Sequence, residues 1–133
     1  MRKRIFAVLV VAAGVVALAT PATALPTIGN GVCDVGNYCY YQNSSLGPSI
    51  ADDNSNTPDM SDWWYFNTST SPDNRSSSIW NRDSSHGMFL YSSVSYAGNN
   101  ACRSPGASAN SFPISGYSLT DNTASSMLIA SSC

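Results

Sequence analysis

The chain has 133 residues, of which 43% are hydrophobic and 11% are charged, and its formal net charge is −2 at pH 7. This length predicts one domain. A nucleic-acid binder needs a basic patch that neutralises phosphates. Three of the six basic residues lie within the first four positions, so the rest of the chain has too few to form such a patch.

The first residues predict a secretory signal peptide. A basic segment at positions 2–4 precedes an apolar stretch at 5–19, and Ala22-Thr23-Ala24 fits a small-residue cleavage site. A membrane-spanning helix is the alternative, but this stretch is shorter than the roughly 20 residues that a span needs. We therefore expect residues 1–24 to be removed and residues 25–133 to form the secreted, extracellular domain.

The predicted mature chain is acidic. It carries three arginines, no lysine, eight aspartates and no glutamate, for a net charge of −5. An anionic membrane surface would repel this charge, so no membrane association is expected after cleavage. Modest self-repulsion also favours a monomer.

All four cysteines lie in the predicted mature chain, and an even number in an oxidising compartment indicates two disulfides. Four cysteines allow three pairings, and the sequence does not choose among them rigorously. The short ring from Cys33 to Cys39, with Gly36 placed for a turn, favours a local pair and leaves Cys102 with Cys133. A metal–thiolate site or a catalytic thiol is the alternative.

Short runs rich in aromatic and β-branched residues, separated by turn formers, predict an antiparallel all-β domain. Strands are expected near residues 38–42, 63–67, 77–81, 88–92 and 125–130, with shorter ones after Gly47 and Gly98. Residues 48–72 and 99–111 are predicted to be largely loop. The run Trp63-Trp64-Tyr65-Phe66 suggests either sugar stacking or partner binding, but a strand with half of the run in the core is preferred.

His86, the only histidine, lies beside two serines and Asp83, which superficially suggests a catalytic triad. Triads are assembled from residues distant in sequence, and neither a G-x-S-x-G nor an H-E-x-x-H motif occurs. With no glutamate, paired-carboxylate glycosidase chemistry is limited to aspartates, none of which lies in a telling context. We expect no enzymatic activity.

A six-residue pattern occurs twice: Asp73-Asn74-Arg75-Ser76-Ser77-Ser78 and Asp121-Asn122-Thr123-Ala124-Ser125-Ser126. Each copy follows an aromatic-to-glycine hairpin, at residues 41–47 and 91–98, by a nearly equal interval. Repetition at matched spacing indicates one structural unit used twice. The oxygen-bearing side chains suit Ca²⁺. A simpler explanation is a turn whose serines bond to nearby backbone.

The pattern [ND]-[ND]-x-x-[ST]-S after an aromatic hairpin resembles the Greek-key motif of the βγ-crystallin superfamily. The resemblance extends from about residue 32 to residue 130. It implies a single domain in which two four-stranded Greek keys pack as one β-sandwich.

The same resemblance implies up to two Ca²⁺ sites, each joining one turn to the hairpin of the other motif. The first site would use Asp73, Asn74, the Ser77 hydroxyl, the backbone of Arg75 and a carbonyl near Ser92. The second would use Asp121, Asn122, Ser125, the backbone of Thr123 and a carbonyl near Gln42. The first hairpin departs from the pattern, with Leu46 at the usual aromatic position and one residue fewer. Few carboxylates imply weak binding, on the order of 10⁻⁴ M, and no organic cofactor is expected.

The C-x₅-C ring with a central glycine, followed by Tyr40-Tyr41-Gln42-Asn43, resembles the microbial metalloproteinase inhibitors of the thermolysin-inhibiting type. That resemblance implies an extracellular protease as partner and a rigid loop presented to its cleft. The loop at 99–111, around Cys102, Arg103 and Ser104, is the expected inhibitory segment. A peptidase inhibitor is therefore the leading functional prediction. The alternatives are a Ca²⁺-binding structural module and a small secreted toxin or antifungal protein on the same fold.

Overall fold

The computed structural model describes residues 28–133, so the predicted signal peptide and its cleavage site lie outside the described residues. Within them, no helix is long and apolar enough to cross a membrane. The chain forms seven strands: β1 (Tyr38–Tyr41), β2 (Ile50–Asp53), β3 (Ser78–Asn81), β4 (Gly87–Ser93), β5 (Ala97–Arg103), β6 (Ser108–Ala109) and β7 (Ser126–Ala130). Two 3₁₀ turns, at Met60–Asp62 and Val94–Tyr96, are the only helical elements in this part of the chain.

The strands form two antiparallel sheets, which confirms the predicted all-β Greek-key sandwich. One sheet has the order β2-β1-β3-β6 and the other β5-β4-β7. Strand β6 belongs to the second half of the chain (β4 to β7) but pairs with β3 of the first half (β1 to β3). Reciprocally, Thr57 of the first half bridges Met127 of β7, with N–H···O distances of 2.9 and 2.8 Å. Each half therefore completes the sheet of the other.

The core lies between the two sheets because successive strand residues point to opposite faces. Tyr38 and Tyr40 of β1 face inward and join one large apolar cluster, which also includes Met88 and Leu90 of β4. The alternate β1 residues Cys39 and Tyr41 join a smaller cluster on the outer face of the same sheet. Strand β1 is thus buried on both faces, as its four apolar and aromatic residues require.

Two disulfides, Cys33–Cys39 and Cys102–Cys133, confirm the local ring and the longer loop. The first closes the segment that leads into β1, and the second ties residue 133 to β5. Each bridge lies entirely within one half of the chain.

The predicted strand at 63–67 is wrong. The backbone there reverses, since Thr68 N–H donates to the Tyr65 carbonyl (3.0 Å) and Asn67 adopts a left-handed φ of 57°. Only Tyr65 enters the core, at 1% exposure, whereas Trp64 and Phe66 are 58% and 42% exposed. Exposure still alternates along the aromatic run, with Trp63 half-buried, but the backbone turns at Phe66 and Asn67 and forms no strand.

The predicted loops at 48–72 and 99–111 are also partly wrong. The first contains β2, and the second contains most of β5 together with β6. Strand β5 forms because Ala101 and Cys102 are small enough to pack under β4, where Cys102 pairs with Phe89. Only residues 104–107 form an exposed turn, so two of the three predicted inhibitory residues lie on a strand.

Candidate functional site

The two copies of the six-residue pattern, residues 73–78 and 121–126, are called here the twin turns, and they pack against each other. Asn74 N–H donates to the Ala124 carbonyl at 2.8 Å, and Asn122 N–H donates to the Ser76 carbonyl at 3.3 Å. Both asparagines have left-handed φ values, 52° and 54°, a conformation that asparagine tolerates better than most residues. The contacts relate the two halves by an approximate two-fold axis.

The last serine of each turn clamps a hairpin. The Ser78 hydroxyl donates to the Asn43 carbonyl (2.6 Å) and accepts from Leu46 N–H (3.0 Å). Ser126 makes the equivalent contacts with Ser93 and Tyr96, at 2.7 and 3.0 Å. Both serines are fully buried. Sequence reasoning missed this role, although the serine at the sixth position of both copies could have indicated it.

The shorter first hairpin keeps the geometry of the second. Ser45 and Leu46 have left-handed φ values of 58° and 54°, and the corresponding Ser95 and Tyr96 have 56° and 62°. The replacement of an aromatic residue by Leu46 therefore leaves the backbone of the site unchanged.

The fifth residue of each turn crosses to the other turn. The Ser77 hydroxyl donates to Asn122 Oδ1 at 3.2 Å, and the Ser125 hydroxyl donates to Asn74 Oδ1 at 3.3 Å. The sequence-based assignment had placed Ser77 with Asn74 and Ser125 with Asn122. The structure exchanges the two serines, because the turns lie side by side and each hydroxyl points at its neighbour.

The strand end before each hairpin accepts a backbone hydrogen bond from one of the twin turns. Ser125 N–H donates to the Tyr91 carbonyl and Ser77 N–H donates to the Tyr41 carbonyl, both at 2.8 Å. The set containing Asn74 and Ser125 therefore lies beside Ser92, and the set containing Asn122 and Ser77 lies beside Gln42. The side chains of Ser92 and Thr123 are engaged locally, with Asn99 N–H (2.9 Å) and the Thr120 carbonyl (2.7 Å).

The spacing of these oxygens suits a cation. Ca²⁺ ligands lie about 2.4 Å from the ion, so two ligands at right angles are about 3.4 Å apart, close to both serine–asparagine distances. Asp73 Oδ1 is buried and has no hydrogen-bond partner among the described residues, whereas Asp121 is exposed. Residues 28–133 contain no cluster of three or more carboxylate, imidazole or thiolate groups, so any cation here is held mainly by neutral oxygens.

A polar cavity of about 770 Å³ opens beside the twin turns. Asp73, Asn74, Ser77 and Asn122 line one side of it. The remainder of the lining comes from Gln42, Asn43, Ser61, Ser71 and Arg75. The cavity thus joins the cation-type oxygens to the side chain of Arg75 and to polar side chains from outside the twin turns.

The predicted inhibitory residues lie elsewhere, around the turn at 104–107. This turn is closed by Ala107 N–H donating to the Ser104 carbonyl (3.1 Å), and Gly106 has a left-handed φ of 74°. The amide of the fully buried Asn81 donates to the carbonyls of Arg103 (3.1 Å) and Ser104 (3.2 Å). The turn is exposed and its backbone is held in place.

His86 lies on the surface next to Asp83, with an Nδ1–Oδ2 distance of 3.2 Å. Partial burial raises the pKa of the Asp83 carboxyl, but hydrogen bonds from the backbone N–H groups of Ser85 and His86 outweigh it and hold that pKa below its usual value. The neighbouring Ser84 and Ser85 hydroxyls face each other at 3.5 Å. The carboxylate therefore organises a surface turn.

Comparison with known proteins bears on the fold. No family model and no curated protein matches the sequence. A structure concerned with the evolution of the eye-lens βγ-crystallin domain fold superposes with a TM-score of 0.61 at 14% identity, covering 76% of this chain and 91% of that one. A βγ-crystallin from an archaeon superposes with a TM-score of 0.53 at 19% identity, covering 71% and 96%. The chain therefore has the βγ-crystallin domain fold.

Proposed function

We propose that the protein is a secreted, monomeric βγ-crystallin-fold module that binds Ca²⁺ weakly at the twin turns. The observation that carries the proposal is the crossed arrangement in which Asn74 meets Ser125 and Asn122 meets Ser77, each at a separation suited to two ligands of one ion. The unpartnered oxygen of Asp73 supplies a negative charge beside the first pair. Backbone carbonyls of the hairpins would complete each site.

The cation would stabilise the fold rather than switch it. A Kd on the order of 10⁻⁴ M is typical of extracellular modules. At ~1 mM Ca²⁺ one such site adds about 1.4 kcal/mol to the free energy of unfolding. For a domain of this size that corresponds to a rise in melting temperature of about 6–10 °C.

The test is the melting temperature with 1 mM Ca²⁺ and with chelator. Ser125→Ala and Asp73→Ala should each remove about half of the Ca²⁺-dependent rise, and Ser77→Ala combined with Ser125→Ala should remove it. Asp62→Ala is the matched control, since Asp62 is an exposed carboxylate outside both sites. A wild-type melting temperature that is the same in both buffers would reject the proposal.

A second candidate is inhibition of an extracellular protease through the turn at 104–107. The observation that favours it is the bracing of this turn, because a backbone already fixed loses little entropy on binding. Asn81 holds the Arg103 and Ser104 carbonyls, and Trp80 Nε1 donates to the Gly106 carbonyl at 3.3 Å. The Cys102–Cys133 disulfide anchors the strand that precedes the turn.

Inhibition is tested against a thermolysin-like protease with micromolar protein. Loss of protease activity that is relieved by Ser104→Pro, which alters the turn, would support this candidate. Full protease activity at that concentration rejects it. The same protein preparation should be folded, as judged by its melting temperature, so that misfolding is not mistaken for lack of inhibition.

A further inference from the structure

All nine residues that line the cavity beside the twin turns are of polar or charged types, with one carboxylate and one guanidinium that balance in charge. Sites for apolar small molecules are lined mainly by hydrophobic groups, so this cavity does not suit them. Gln42, Asn43 and Arg75 present planar amide and guanidinium groups, which form paired hydrogen bonds to adjacent oxygens. The lining fits a ligand that carries many hydroxyl groups.

An exposed tryptophan follows one of the cavity residues closely in the chain. Trp64 is 58% exposed and follows the cavity residue Ser61 by three positions, a distance of at most about 11 Å along the chain. The segment that carries it is anchored, since Met60 N–H donates to the Ser125 carbonyl (2.9 Å) and the Ser71 hydroxyl donates to the Met60 carbonyl (2.7 Å). A large indole held at the surface is costly to leave in water and is typical of binding positions.

We propose that the cavity, together with Trp64, binds a neutral oligosaccharide. A sugar ring has a C–H face that packs on an aromatic plane and a rim of hydroxyls that matches amide and guanidinium groups. Acidic polysaccharides are disfavoured, because residues 28–133 carry eight aspartates against three arginines. The cavity shares Asp73, Asn74, Ser77 and Asn122 with the proposed cation sites. Recognition of hydroxyl groups by Gln42, Asn43 and Arg75 needs no bound ion, so this inference does not rest on the proposed Ca²⁺ binding.

The test is retention of the exported, purified protein on insoluble cellulose, chitin and β-mannan in the presence of chelator. Retention is expected on at least one of these neutral polysaccharides, and none on immobilised alginate. On the retaining polysaccharide, Trp64→Ala and Arg75→Ala should each weaken binding about tenfold, while Trp64→Phe, which keeps an aromatic face, should weaken it less.

Val35→Ala is the control. Val35 is 68% exposed but precedes β1, whereas the cavity residue Gln42 follows it, so the two lie at opposite ends of that strand. Its substitution should leave retention unchanged. Melting temperatures of all variants establish that they are folded.

Absence of retention on all three neutral polysaccharides overturns the inference. Retention that is equal for wild type, Trp64→Ala and Arg75→Ala overturns it as well. Sugar binding in chelator, combined with a melting temperature that Ca²⁺ does not change, would reject the cation proposal and support this one. A Ca²⁺-dependent melting temperature without retention would do the reverse.

Discussion

Asn81 links the two sheets, and replacing it with leucine should destabilise the protein strongly. Its amide nitrogen donates to the carbonyls of His86 (2.8 Å), Arg103 (3.1 Å) and Ser104 (3.2 Å), and its oxygen accepts from Asp83 N–H (3.0 Å). Leucine has nearly the same volume but satisfies none of these groups. A buried group left unsatisfied costs about 1–3 kcal/mol. Because water reaches the exposed side of the turn, we expect a total loss of about 3–5 kcal/mol.

The measurement is chemical denaturation of wild type and Asn81→Leu at pH 7. Asn81→Asp should be at least as destabilising at that pH, because its carboxylate would face three carbonyl oxygens, and it should recover partly in acid, where a protonated carboxyl donates one hydrogen bond. Asn56→Leu is the matched control: Asn56 is exposed and accepts one bond, from Ile129 N–H, so the loss should stay below about 1 kcal/mol. An Asn81→Leu protein within 1 kcal/mol of wild type would refute the reasoning.

Two further predictions concern a carboxylate and a disulfide. The folded-state pKa of Asp83 is lowered, so its ionised form contributes stability that is present above the unfolded pKa of about 3.9 and is lost as the pH falls through the folded value. The stability advantage of wild type over Asp83→Asn, measured by denaturant titration, should therefore be larger at pH 7 than at pH 3, and an advantage independent of pH would contradict this. Opening the Cys102–Cys133 loop by a double substitution to serine should cost about 3.5 kcal/mol, since the bridge spans 31 positions. Opening Cys33–Cys39 in the same way should cost only about 2 kcal/mol. If the variant without Cys33–Cys39 melted at a lower temperature than the variant without Cys102–Cys133, chain entropy would not be the main source of the stabilisation by these disulfides.

The repeated turn was readable from the sequence because residue types at fixed positions set its local backbone. The left-handed asparagine recurs at the second position of both copies, so both turns fold alike. The disulfide ring was readable for the same reason, since Cys33 and Cys39 are six positions apart. The serine that clamps a hairpin was missed, because its contacts span 35 and 33 positions.

What the sequence did not reveal depends on contacts between distant segments. The crossing of Ser77 to Asn122 spans 45 positions and has no local signature. Strand β6 consists of a serine and an alanine, whose composition resembles a loop, and it is a strand only because β3 offers it an open edge. The turn at Asn67, where a strand was predicted, is not indicated by a count of aromatic residues.

The exchange of strands between the halves has a consequence for how the molecule would respond to cleavage. Each disulfide closes a loop within its own half, so in the described chain only the backbone segment at 82–86, between β3 and β4, joins the halves covalently. A protease that cut this segment would produce two fragments, each lacking one sheet edge that the other supplies through β6 or Thr57. Such fragments should remain associated after cleavage and reassemble when mixed, because each supplies the strand pairing that the other lacks.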